Sequence, residues 1–486
     1  MAKKIFMLGL DGLSPYYLVY VVNKLQLHNI QQIINKSYFR TLLSIPPTTF
    51  IGWTSLITGV NPAKHGIWGF THFYIKSGKI NTSIFSSYDV KSPRLFEITA
   101  FHGLKSIVVN YPLTYPIEGI YIKNNVIVSD TLASPRIDCF PKKIKKLCSS
   151  FIKKINKNIT NVLEKTYYLI RLFEYLCNNF DWNLALLVLD VPDKIFHIKP
   201  SYLWKLNNNK FNRIMRDIDN LVGHLSQNAD ITLIVSDHGL AWYKKWVNPL
   251  AYLYKAGIIP CNYTISYNIL RKIIKIIYGN TFLSNMHLVI SYLMQLHSRL
   301  HKRSRLRFVS DINYYLLDEV DAENTWIILF RTSHLRDICY NYLSKISRNF
   351  HFEVYKLEEI FRGKYYPLFP ALFVVPKYEK GIYLSLSYAQ LFTEINSYFY
   401  KPAGRHHPYG TFLAYGREIE KSLRVDKIVS IYDILPTILA LFNLPIPQNI
   451  NGKIIPLNSN LIKASTSSKA DYNIILKIKK LRRKLY

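Results

Sequence analysis

With 486 residues, 49% of them hydrophobic, the chain can bury the core of one large domain with insertions or of two or three domains, which excludes an intrinsically disordered protein. Five widely spaced cysteines without a Cys-x-x-Cys pair argue against a disulfide framework and against a thiolate metal site. Lys and Arg number 63 against 31 Asp and Glu, and the formal charge of +32 favours an anionic substrate and non-specific contact with nucleic acid or an acidic membrane surface through basic segments, although a general bias toward Lys, Ile, Asn and Tyr accounts for part of it.

The opening MAKKIFMLGLDG runs straight into an apolar strand at 5–10 and offers no cleavage site for secretion, so a cytoplasmic protein is expected. A helical pattern at 31–35 leads to a second strand at 40–44, which the prolines of SIPPTTFIGWTSLITG stop. Thr48 or Thr49 then begins an amphipathic run whose buried side is Phe50, Trp53, Leu56 and Ile57. Further on come a helix at 94–101, a strand at 106–110, one long helix over 141–179, and strands at 185–189, 231–236 and 411–414. This alternation argues for an α/β fold: a doubly wound, mostly parallel sheet with helices on both faces. Residues 244–400 break the rhythm with the basic blocks LRKIIKIIYG and LHSRLHKRSRLRF, and read as an inserted cap, partly helical and basic. The core, begun in 1–243, is completed by 401–457, and 458–486 form a basic tail with Ile474, Ile478, Leu481 and Leu485 on one helical face. No stretch reaches 18 uninterrupted apolar residues, so no transmembrane span is expected.

Titratable residues gather where these strands end. Asp11 follows the first strand, Asp193 and His197 follow LLVL, and Asp237 and His238 close LIVSDHGL. Parallel strands point the same way, so side chains from distant parts of the chain converge on one rim, and the i, i+4 spacing of Asp193 and His197 lets both reach one ion. Each residue also has a plain reading, as a helix cap or a turn residue, and Thr48 or Thr49 as a helix N-cap.

The ordered set LGLDG, PPTTFIGWTSLITGVNPAKHGIWGF, NYPLTYP, VPDKIFH, VSDHGL, AGRHHPYGTFLAYG and IYDILPTILALFNLPIP resembles the type I phosphodiesterase / nucleotide pyrophosphatase family of the alkaline phosphatase superfamily. The resemblance implies an alkaline-phosphatase-like fold and two divalent metal ions, Zn by preference with Mn as the alternative. One ion would take Asp11, Asp237, His238 and the hydroxyl of Thr49; the other would take Asp193, His197 and His406, with His407 the weaker choice. It further implies a phosphodiesterase or pyrophosphatase-type hydrolase with Thr49 as nucleophile, acting on an anionic phosphate ester. The alternatives are a phosphomonoesterase or phosphotransferase of the same superfamily and a non-catalytic polyanion-binding protein with this fold. One departure stands out: HGIWGFTHF has Trp68, Gly69 and Phe70 where the nucleotide pyrophosphatase branch has an Asn contacting a phosphate oxygen, which leaves the Thr49 amide or His72 for that contact. Phe50, Trp53, Trp68 and Phe70 are candidates for an apolar wall beside the nucleophile. The oligomeric state has no signature in the sequence.

Overall fold

The computed structural model describes residues 3–77, 79–132, 137–158, 161–198, 201–258, 314–316, 327–330, 332–384, 398–458 and 469–485. At its centre is a nine-stranded sheet of β1 (Ile5–Leu10), β2 (Tyr38–Leu43), β3 (Ser106–Val109), β4 (Asn125–Val128), β5 (Cys139–Phe140), β6 (Leu184–Leu189), β7 (Ile231–Val235), β8 (Tyr409–Gly416) and β9 (Ser422–Ser430). The strands lie in the order β9-β2-β8-β7-β1-β6-β3-β4-β5. The six strands expected from the sequence are all among them.

The central strands are apolar at nearly every position because helices cover both faces of the sheet. Along β1, Phe6, Leu8 and Leu10 pack into the layer of helices Pro15–Leu25, His28–Lys36, Val162–Asn179 and Asn209–Asn228, while Ile5 and Met7 pack into the layer of Thr49–Thr58, Leu95–Phe101 and Ile434–Leu441. One approach is closer than a side chain permits: a Cβ on Gly9 would collide with the indole of Trp53, so the helix Thr49–Thr58 lies directly on β1.

The sheet departs from a uniformly parallel one at the short edge strand β5, antiparallel to β4, and inside the sheet at β8, which runs antiparallel to β2 and β7. The cause at β8 is its entry. The strand Tyr398–His407 pairs antiparallel with Gly239–Val247, placing His407 opposite Gly239, so the chain reaches β8 already at the carboxyl end of β7 and must run back down. The helix expected over 141–179 is three helices, Lys142–Leu147, Ser149–Lys157 and Val162–Asn179. The last begins afresh at Asn161, whose side chain accepts the Glu164 N–H at 3.3 Å.

Between β7 and β8 the chain adds the three-stranded sheet of Ile382–Leu384, Gly239–Val247 and Tyr398–His407, and a four-stranded antiparallel sheet of Tyr314–Leu316, Ile327–Phe330, Ala371–Pro376 and Phe352–Lys356. The helix Ser333–Phe350 sets Cys339 and Leu343 into a separate core with Phe330, Phe352 and Phe373. The basic blocks at 270–279 and 296–308 lie outside the described residues. Among the described residues no helix is long and apolar enough to cross a membrane.

The C-terminal helix Asn473–Leu485 docks on its own domain, with a different face from the one its aliphatic spacing suggests. Ile475 is fully buried, whereas Ile474 and Leu481 are 44% and 61% exposed. A buried ion pair sets the rotation: Lys479 Nζ reaches Glu97 Oε1 at 3.1 Å, and Glu97 also holds Arg94 at 3.3 Å. Burial works against the Glu97 carboxylate, but Arg94 and Lys479 outweigh it and hold its pKa below the usual value. This contribution to stability is complete above the ordinary glutamate pKa and is lost as pH falls through the depressed one. Glu97→Ala strands two buried cations and should cost about 3–5 kcal/mol in denaturant unfolding, against about 0.5 kcal/mol or less for Leu481→Ala. Equal effects would refute this account of the docking.

Candidate active site

The rim at the carboxyl ends of β1, β6 and β7 collects the acidic and imidazole side chains. The strands end level, with Leu10 beside Leu189 and Gly9 beside Val235. Asp11 follows β1 directly; its carbonyl accepts the Asp193 N–H at 3.1 Å, which seats the short helix Asp193–Ile198 on the rim. One helical turn later His197 returns to the same place. Asp237 and His238 leave β7, and His406 arrives on the strand Tyr398–His407, opposite Leu240. Asp11, Asp193, Asp237, His238 and His406 are buried, and His197 faces solvent.

All six groups meet. His238 Nε2 lies 3.4 Å from Asp11 Oδ1 and 3.3 Å from Asp237 Oδ2. Asp193 Oδ1 lies 3.0 Å from His406 Nε2 and 3.2 Å from His197 Nε2, with the two imidazole nitrogens 2.9 Å apart. The rings of His238 and His406 stack with centroids 3.8 Å apart. Two groups of potential ligands result, Asp11–Asp237–His238 and Asp193–His238–His406, and they share His238.

The protons on these rings are assigned by their partners. His238 Nδ1 is 3.0 Å from the Gly239 carbonyl, and His406 Nδ1 is 2.9 Å from the Pro47 carbonyl. A carbonyl only accepts, so Nδ1 carries the proton in both and Nε2 turns a lone pair toward the carboxylates. Asp11 Oδ1, Asp237 Oδ2 and His238 Nε2 are buried with no hydrogen-bond partner among the described residues. Buried lone pairs that converge without a donor repel one another, and a divalent cation is the species that fits among carboxylate oxygens and neutral imidazoles. The same crowding sets the acidities. Burial first, then the charge of Asp237, pushes Asp11 well above the carboxylate range; burial and the charge of Asp193 do so for Asp237; burial lowers His238 and His406.

Thr49 is the first residue of the helix Thr49–Thr58 and is buried. Thr48 is the cap residue, yet its hydroxyl makes no capping bond. Two features press this helix start against the acidic cluster. A Cβ at Gly52 would stand 2.9 Å from Asp237 Cβ, and the carbonyl that holds His406 belongs to Pro47. The turn after the helix is clasped by His65: the Ile67 N–H donates to its Nδ1 at 3.1 Å and Ser55 Oγ sits 3.0 Å from its Nε2, while burial keeps the ring neutral with a pKa down at about 3.

Other expected site residues sit elsewhere. His407 accepts the Tyr409 N–H at 3.2 Å and packs edge-on between Tyr378 and Tyr409. His72 lies on the hairpin Thr71–Lys76/Lys79–Ile84, stacked on Phe85 and 3.5 Å from Asp89. The expected aromatic wall is mostly core: Phe50 is covered by Phe70 at 4.1 Å, Trp53 packs on Gly9 and Tyr111, and Trp68 is wedged against Phe361 with its Nε1 donating to the Tyr365 carbonyl at 2.7 Å. Phe70 alone of the four is partly exposed.

Sequence reasoning passed over a group just beneath the cluster. Asp190 follows β6 as directly as Asp11 follows β1, but its carboxylate is taken by a buried ion pair with Lys165 and by Asn110 Nδ2 at 3.1 Å. Lys165 also donates to Thr131 Oγ1 at 3.1 Å. Burial opposes the Asp190 charge; Lys165 overcomes it and keeps the pKa low. The strand-end position was the available signal, and the Lys that neutralises it comes from another helix.

The raised pKa values of Asp11 and Asp237 in the folded state mean stability that is present at low pH and lost as pH climbs above the ordinary carboxylate range, whereas Asp193, which burial opposes but His406 and His197 hold well below that range, acts in the opposite sense. Asp237→Asn should therefore raise the melting temperature of metal-free protein at pH 8, by relieving repulsion, and lower that of protein saturated with Zn²⁺, by removing a ligand. A shift of the same sign in both states would contradict the cation assignment.

The chain matches the family model for type I phosphodiesterase / nucleotide pyrophosphatase over residues 5–375. No curated protein sequence matches it. Among solved structures it is similar to murine ectonucleotide pyrophosphatase / phosphodiesterase 5, with a TM-score of 0.53 and 15% identity over 92% of this chain and 98% of that one, and to the human protein of the same name, with a TM-score of 0.53 and 15% identity over 95% and 99%. It is likewise similar to phosphonoacetate hydrolase from Sinorhizobium meliloti 1021, solved with phosphonoformate, with a TM-score of 0.54 and 14% identity over 89% and 94%. The family match spans well over half of the sequence and the architecture agrees with it: the chain belongs to the type I phosphodiesterase / nucleotide pyrophosphatase family, within the alkaline phosphatase superfamily.

Proposed function

We propose that this protein is a two-metal phosphoesterase that cleaves phosphodiesters through a phosphothreonine at Thr49. The observation that carries the reading is the pair of overlapping buried lone-pair clusters sharing His238, pressed against the helix that Thr49 begins. Asp11, Asp237, His238 and the Thr49 hydroxyl would hold one divalent ion, and Asp193, His197 and His406 the other; the mix of carboxylates and imidazoles without thiolate suits Zn²⁺, or Mn²⁺. Bound there, the two ions supply positive charge that acidifies a hydroxyl and offsets charge on the attacking and leaving oxygens.

The chain's own groups do the rest. Thr49 Oγ, deprotonated at the start of its helix, attacks phosphorus as the bond to the leaving alcohol breaks, and the alcohol departs with a proton. Water then attacks the phosphothreonine, which still carries the second ester group; the bond to Oγ breaks, a phosphate monoester leaves, and Thr49 recovers its proton. The Pro47 carbonyl orients His406, so the residues preceding the nucleophile and the rim are held together by one hydrogen bond.

The absence of Arg and Lys from residues 44–60 supports a diester over a monoester, because a monoester dianion needs additional positive charge at its extra non-bridging oxygen. The intact cluster speaks against a non-catalytic polyanion binder. A reducing, cytoplasmic setting belongs to the same reading and is supported by the four described cysteines, all free.

Thr49→Ala should lower kcat/KM by several orders of magnitude with little change in stability, since Thr49 is the first helical residue and not the cap, whereas Thr48→Ala, which loses no capping bond, should be mild in both. Matching losses in the two variants would show that Thr49 is not the nucleophile. The metal-loaded enzyme should show a higher kcat/KM for an aryl phosphodiester than for the matched monoester; a monoester preference of tenfold or more would replace this reading with a phosphomonoesterase.

A further inference from the structure

The helix Val162–Asn179 runs from the rim, where Lys165 meets Asp190, toward the opposite edge of the sheet, and its outer side meets Ser149–Lys157 along a cleft of about 480 Å³. Phe151, Lys154, Tyr167, Tyr168, Arg171 and Tyr175 line it. The four rings are only partly buried. Phe151 and Tyr175 lie 5.9 Å apart, and Tyr167 and Tyr168 5.2 Å apart edge to face. Cations flank the rings: Lys154 is 5.1 Å from the centre of Tyr168, and Arg171 and Arg213 are 5.4 and 5.7 Å from that of Tyr167.

We propose that this cleft is a binding site for single-stranded nucleic acid, with a base on the tyrosine rings and its flanking phosphates on Lys154 and Arg171. Aromatic faces tolerate any base and a basic groove tracks the backbone, which is the pairing such strands require. Charge extends well past the cleft: Lys142, Lys143, Lys145, Lys146, Lys153, Lys154 and Lys157 are all exposed on the two short helices, with no acidic residue among residues 140–157. That length favours a polyanion over one free nucleotide. Two acids are nearby, Glu174 in the cleft and Asp217 on the next helix, and Arg171 pairs with both, at 3.1 and 3.8 Å. An anionic lipid surface would suit the lysines, but a concave, ring-lined cleft presents nothing to a flat bilayer.

The test is fluorescence anisotropy with a labelled 12-nucleotide oligouridylate in a Thr49→Ala background, with the strand checked for integrity on a gel so that residual cleavage is not mistaken for weak binding. In this background Tyr168→Ala and, separately, Lys153→Glu with Lys154→Glu should each weaken binding at least tenfold, Tyr168→Phe should retain it, and the charge reversal should flatten the dependence of affinity on salt. The same cleft substitutions in otherwise native protein should leave aryl diesterase activity and melting temperature unchanged; if Tyr168→Ala melts early, the surface charge reversal decides. Binding within twofold of the parent in the charge-reversed protein overturns the proposal, as does competition by uridine monophosphate as effective, per nucleotide, as by the strand. Sedimentation with phosphatidylserine vesicles that depends on the same residues, without oligouridylate binding, overturns it in favour of a membrane surface.

Discussion

Three carboxylates and two imidazoles buried side by side with their lone pairs facing one another are electrostatically unfavourable on their own, and much of the architecture serves to bring them there. Parallel β1, β6 and β7 end level, so Asp11, Asp193, Asp237 and His238 have no choice but to crowd. Gly9 and Gly52 remove side chains where the helix Thr49–Thr58 crosses β1 and Asp237. Backbone carbonyls of Gly239 and Pro47 accept from the Nδ1–H groups of His238 and His406 and leave Nε2 of each ring facing the carboxylates. The oxygens of Asp11 and Asp237 that are buried without a donor would be satisfied by a cation entering among them.

Contrast with the acid next door sharpens the point. Asp190 is as buried as its neighbours and stands at an equivalent strand end, yet Lys165, Asn110 and the surrounding hydrogen bonds satisfy it within the protein. Neutralised in this way it stays out of the cluster. The separation between a structural and a ligand-type carboxylate thus rests on who supplies the positive charge, a lysine from the covering helix or an ion. Residues far along the chain reach the same region from the other side: the Lys364 and Tyr365 N–H groups donate to the Ala63 carbonyl at 2.9 and 2.8 Å, and Trp68 is held by Tyr365 and Phe361. The turn following the helix Thr49–Thr58 is therefore built partly from these distant residues.

The six expected strands and the acidic and imidazole residues at their ends were legible because each is a local signal: an apolar run closed by Asp or by Asp-His is visible in eight residues, whereas the reversed direction of β8 follows from a non-local strand pairing. The resemblance to the family pattern already favoured His406 over His407, and the pairing of Tyr398–His407 with Gly239–Val247 sets His406 opposite Leu240, 3.0 Å from Asp193. Periodicity misled where a long-range charge overrode it, as in the C-terminal helix, whose rotation follows Lys479 and Glu97 instead of Ile474 and Leu481. It also merged three helices into one, because the break at Asn161 is a capping event within an otherwise helical composition. The aromatic residues beside Thr49 looked like a substrate wall for the same reason: hydrophobicity marks a contact and leaves open whether the partner is a ligand or the protein, and Gly9, Tyr111 and Phe361 turned out to be the partners.

The central claim is that the rim holds two divalent ions across clusters joined at His238. Elemental analysis of folded protein, purified without chelator and equilibrated with Zn²⁺ before extensive dialysis, tests it most directly. The account predicts two ions per chain, falling to about one in Asp11→Asn and in His406→Ala, where one cluster or the other is broken. Protein that is folded yet retains no tightly bound divalent metal would contradict it.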